Sequence, residues 1–228
     1  MIPPHANPSP GASLRMSLGA GMRTSGIGYP AYQAPEKPSV LAPATVLFLM
    51  MVAHSILETA RDTLFLTRIG PDKLGWAYVG IAGVSLAAFM GFRKWGAVRG
   101  ARAMLMTFLI CALIGTTILA FALSATAWAA FILYVWTGTI ASLMVPSFWL
   151  VIERDVRIGD AKKILSAIAA GGGLGALVGS AMASVLGHYF DPHNLVTAGA
   201  AMFGVATVAT RILLPAARPE RARRYPSA

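Results

Sequence analysis

Six apolar stretches follow one another between Val40 and Leu214, separated by short polar groups. They run approximately Val40–Thr67, Leu74–Phe92, Ala103–Leu123, Trp128–Ile152, Ile164–Leu186 and Leu195–Leu214. A helix needs about 20 predominantly apolar residues to cross the ~30 Å hydrocarbon core of a bilayer. Within that core each span must satisfy its own backbone hydrogen bonds, so helices are the expected form. The predicted fold class is an all-α membrane protein with six transmembrane helices. Only 12% of the residues are charged, against about 25% in soluble domains, which excludes an ordinary soluble class.

The polar groups between the spans set an orientation. Of the 19 lysines and arginines, all but Arg61, Arg68 and Lys73 lie before the first span, between spans two and three, between four and five, or at and beyond the end of the sixth, where Arg211 stands. The positive-inside rule then places both termini in the cytoplasm. The same partition reads the net charge of +10 as a topology signal. The bilayer is therefore the expected partner, and nucleic acid is not. Residues 1–39, rich in Pro, Gly, Ser and Ala, are expected to form a disordered cytoplasmic tail with no secretory h-region. Residues 40–215 would form the membrane domain, and 216–228 a basic cytoplasmic tail. Cys111 lies within the third span and reads as a small buried hydrophobe.

One stretch breaks the apolar pattern. Glu58 to Asp72 brings Glu58, Arg61 and Asp62 directly after an apolar run. On a helix His54, Glu58, Arg61, Asp62 and Phe65 share one broad face, because their spacings are three and four. A charge at the bilayer centre costs about 2.5–3.5 kcal/mol on insertion scales, so such residues face a cavity or a partner. Periodicity leaves a second possibility open. Val40–Leu57 is 18 residues, nearly a span by itself, and Glu58 onward would then be outer loop.

The fifth span carries Gly171, Gly175, Gly179, Ala183 and Gly187, each four apart. A face without side chains lets another helix backbone approach closely in lipid. The Gly171–Ala176 run also fits a loose G-x-G-x-x-A, but no strand precedes it, as a dinucleotide site would require. The chain has no P-loop, no H-E-x-x-H, no paired-cysteine pattern and no acid–base–nucleophile set. Enzymatic activity, a cofactor and a metal are not expected. His188, Asp191 and His193 read as loop chemistry in the outer turn between spans five and six, and Gly91–Gly96 as a basic cytoplasmic turn. The short Ser124–Thr126 connection makes spans three and four antiparallel neighbours.

Arg61, Asp62, Leu64, Thr67, Gly70 and Asp72 resemble the first-span signature of the ATP/ADP nucleotide translocases of plastids and intracellular bacteria. Phe148-Trp149 followed by Ala161-Lys162-Lys163 is similar to that family's Phe-Trp and Ala-Lys-Arg at the same separation. The resemblance covers about Val40 to Pro215 and departs at Ile152-Glu153 and Ile164-Leu165. Members of that family have twice as many spans, so this chain resembles their N-terminal half. The resemblance implies one half of a major-facilitator fold, built from two three-helix repeats, with a substrate site near the midplane between halves. It implies exchange of ATP, ADP or a related nucleotide across a bacterial inner membrane by alternating access. Arg61 would bind phosphate, and Glu58 and Asp62 would neutralise it in the empty site or couple to a proton. The glycine face of span five would then meet a second copy or a separate six-span half. Two other readings stay open: a membrane anchor or scaffold that does not transport, and a major-facilitator half for another organic anion.

Overall fold

The computed structural model describes residues 40–124, 126–153 and 161–214. The expectations for the tails 1–39 and 216–228, and for Arg154 and Arg157, lie outside these residues. Six long helices make up the described chain: α1 (Leu41–Arg68), α2 (Leu74–Arg99), α3 (Ala101–Ala122), α4 (Trp128–Ile152), α5 (Ala161–Tyr189) and α6 (Pro192–Leu213). A single 3-10 turn, Pro71–Lys73, precedes α2. All six helices are long and apolar enough to cross a bilayer, and no strand occurs among the described residues. The protein is an all-α, multi-pass membrane protein.

α1 matches the expected first span to within a residue at each end, while α2, α5 and α6 differ from expectation, each for a local reason. Glu58–Arg68 is helix, so the outer-loop alternative is excluded. The helix ends only where Gly70 takes a positive φ of 95°, a conformation open mainly to glycine. Pro71, which has no N–H, then starts the 3-10 turn. α2 runs on through Arg99, so Gly91–Gly96 is helical and not a turn; the link to α3 is Gly100 alone, at φ 84°. α5 continues to Tyr189 and α6 begins at Pro192. Only Phe190 and Asp191 remain as turn, and both His188 and His193 are helical. Proline is suited to the first turn of a helix, where its missing N–H leaves no bond unmade.

The packed helix pairs show an internal symmetry. α1 packs on α4, α5 and α6; α4 packs on α1, α2 and α3; α3 packs on α6, α2 on α3, and α5 on α6. This set is unchanged when α1 is exchanged with α4, α2 with α5, and α3 with α6. Successive spans run in opposite directions, so α1–α3 and α4–α6 are related as inverted repeats, an arrangement found in membrane transporters. α1 and α4 lie at the centre. Met50, Ile56 and Leu57 of α1 are fully buried, as are Leu133, Met144 and Phe148 of α4.

The glycine ridge of α5 lies against α1, inside this chain. That corrects the expectation that it would meet another subunit. A Cβ on Gly171 would sit 3.0 Å from the Ala44 carbonyl oxygen. One on Gly175 would collide with the Phe48 carbonyl, and one on Gly179 would lie 2.7 Å from that of Val52. Both series advance by four residues, so the two helices run parallel in constant register. Ala183 continues the buried face. At Gly187 the ridge has left α1, since the nearest atom to a Cβ there would be Leu195 Cδ2 at 3.7 Å.

Candidate functional site

α1 has 28 residues, about 42 Å at 1.5 Å per residue. His54 stands at its midpoint. Glu58, Arg61 and Asp62 then lie roughly 6, 10 and 12 Å further along the axis, inside the ~15 Å half-thickness of a bilayer core. The charged groups therefore lie within the candidate membrane span, short of its C-terminal end.

They form a connected chain. Arg61 Nη2 donates to Glu58 Oε1 at 3.0 Å. Arg61 Nε donates to Asp62 Oδ1 at 3.2 Å, reaching back along the flank of the helix. His54 Nε2 lies 3.8 Å from the other Glu58 oxygen. The three residues expected at the site, Glu58, Arg61 and Asp62, are thus brought together, with His54 beside them. Thr59, Thr63 and Thr67 on the same helix each bond the carbonyl four residues earlier, which satisfies their hydroxyls within α1.

Exposure separates the roles. The Arg61 side chain is 10% exposed, while those of Glu58 and Asp62 are 46% and 49% exposed. The cation is enclosed and the two acids border an open face. The enclosure comes from α4. The Arg61 guanidinium carbon sits 4.5 Å above the centre of the Tyr134 ring, a cation–π contact. Phe65 packs against the same ring, tilted by 50° at a centroid distance of 4.7 Å, and the Tyr134 hydroxyl lies 3.4 Å from that of Tyr78 on α2. Tyr134 and Tyr78 had no signal in the sequence. They stand 73 and 17 residues from Arg61, and each is an isolated tyrosine in an apolar span.

Arg68, about one turn beyond Phe65, does different work. Its Nη1 donates to the Leu123 carbonyl at 2.6 Å, at the end of α3. His193 Nε2 donates to the neighbouring Ala120 carbonyl at 2.8 Å. Both side chains satisfy carbonyls that a helix C-terminus leaves open. Arg68, Ser124, Asp191 and His193 also border a cavity of about 480 Å³ at this end of the bundle. No group of three or more metal-ligating side chains gathers among the described residues. No family model, curated protein or solved structure matches the chain.

Proposed function

We propose that this chain is one half of a transporter of the nucleotide-translocase type. It exchanges ATP, ADP or a related nucleotide across a bacterial inner membrane by alternating access, with both termini in the cytoplasm. One observation carries the transporter reading: two carboxylates, each about half exposed, inside the candidate span of the helix at the centre of the bundle. Lipid cannot solvate them, so their open face borders a water-filled cavity closed by a second six-span half or a second copy. Inverted repeats around that face are the architecture that lets a central site open to either side. The nucleotide class rests on the resemblance of the Arg61–Asp72 and Phe148–Lys163 motifs.

In this mechanism Arg61 exchanges its carboxylate partners for a phosphate. A guanidinium can hold two phosphate oxygens in one plane. Tyr134 lies beneath the guanidinium and holds it in place while the acids let go, before any motion between the repeats. No bond of the substrate is made or broken. A second reading, a smaller organic anion, is favoured by the charge of the cluster, in which one cation faces two carboxylates. The test is exchange in proteoliposomes loaded with ADP. Labelled ATP should enter loaded vesicles and not empty ones, and Arg61→Ala should abolish entry. A competition panel of phosphate and dicarboxylates separates the two anion classes. Uptake that equals protein-free vesicles for every anion would leave only the anchor or scaffold reading.

A further inference from the structure

Glu58 occupies a position that Asp62 does not share. One of its oxygens accepts from Arg61 at 3.0 Å, and the other faces His54 Nε2 at 3.8 Å. Asp62 pairs with Arg61 alone among the described residues. The far nitrogen of His54, Nδ1, is buried without a hydrogen-bond partner. The helices packed against α1 offer little else that titrates. α4 contributes Tyr134, with Tyr78 of α2 behind it. α5 carries Lys162, Lys163, His188 and Tyr189, and α6 carries His193 and Arg211, all at helix ends.

With His54 neutral, the cluster holds one positive and two negative charges. An anion docking on Arg61 adds to that excess. Two like charges held this close in a partly desolvated site repel strongly. The repulsion is relieved if the carboxylate that Arg61 releases takes up a proton. We propose that Glu58 is a proton-binding site coupled to the anion, with His54 Nε2 sharing the proton; this rests on the transport reading above. One proton from solution converts the carboxylate to the acid as the phosphate takes its place on Arg61. No electron moves. Linkage is reciprocal, so the anion binds more tightly as pH falls, by up to about tenfold per pH unit for one proton.

The test uses the full chain in lipid nanodiscs with ATP as the probe. Binding heats are compared in two buffers of different ionisation enthalpy. ATP takes up protons itself, so the readout is the difference between wild type and Glu58→Gln. Wild type should take up about one proton more, and Glu58→Gln should bind ATP more tightly than wild type at alkaline pH. Asp62→Asn should keep the uptake, and His54→Gln should reduce it. Equal proton uptake by wild type and Glu58→Gln, with both binding ATP, would overturn the coupling and leave the transport reading standing. Absence of ATP binding in wild type would overturn the nucleotide reading and this inference with it. If Glu58→Gln does not fold, the other two variants decide. Uptake lost in Asp62→Asn and retained in His54→Gln would overturn the assignment.

Discussion

Replacing Gly175 by alanine should cost the fold far more than replacing Gly173 by alanine, although the two lie two residues apart on one helix. The backbone of α5 at Gly175 rests on the Phe48 carbonyl, and an added methyl would collide with it. At Gly173 nothing lies within 4 Å of the added atom. Both variants gain the same helix propensity, up to about 1 kcal/mol for alanine over glycine. Their difference therefore isolates the collision. Overpacking a filled site costs about 1–3 kcal/mol, and here the obstacle is backbone, which cannot rotate aside. Taking about 2 kcal/mol, and roughly 2–4 °C per kcal/mol for a chain of this size, Gly175→Ala should melt about 4–8 °C below Gly173→Ala.

The geometry also ranks the rest of the ridge. Gly179, with Val52 oxygen 2.7 Å from the added atom, should follow Gly175. Gly171, with Ala44 oxygen at 3.0 Å, should come next. Gly187, at 3.7 Å from the tip of Leu195, should behave like Gly173. Cys111, the only cysteine, is half-buried within α3 and not fully buried as expected; unfolding exposes it further to a maleimide dye, so it serves as a reporter. Melts that place Gly175→Ala level with Gly173→Ala would refute the close approach of α1 and α5.

Removing the buried partner of an ion pair typically costs about 3–5 kcal/mol. Glu58 and Asp62 can partly rehydrate, so Arg61→Ala should fall near about 3 kcal/mol in thermal melts; Glu58→Gln should cost less in that background than in wild type, and additive effects would show that the 3.0 Å pair carries no coupling. The orientation is checked with single cysteines in a Cys111→Ala background. Thr126→Cys should react with an impermeant maleimide in intact cells and Val98→Cys should not, and the reverse pattern would invert the topology.

The helices were legible in the sequence because the bilayer fixes how long an apolar run must be. α4 begins and ends where its apolar run does. α2, α5 and α6 extend beyond theirs, because residues at the membrane surface continue a helix without needing to be apolar. Arg99 and Lys162 fall in such extensions, and long cationic side chains reach water from there. The Arg61–Glu58 pair was legible as an i,i+3 spacing on one helix. The ridge of α5 was equally visible, but its partner was not. The surface it meets is the backbone of Ala44, Phe48 and Val52. Every helix offers backbone, so no side-chain pattern on α1 announced the match.

The inverted repeats put α1 and α4 in equivalent places, yet the two helices carry different chemistry. α1 supplies an imidazole, two carboxylates and two guanidiniums, those of Arg61 and Arg68. Among the described residues α4 supplies no charge, and its one titratable side chain is Tyr134. Both counterions of Arg61 stand on its own helix, three residues before it and one after, so α1 can move as a unit without breaking either pair. The ring of Tyr134 is the contact that crosses to the other repeat. A cation–π contact contributes about 0.5–2 kcal/mol, less than removing a buried ion-pair partner costs. Motion between the repeats would therefore break the weaker contact first and leave the charges neutralised. In the proposed exchange the repeats would then part at Tyr134 while Arg61 is still paired.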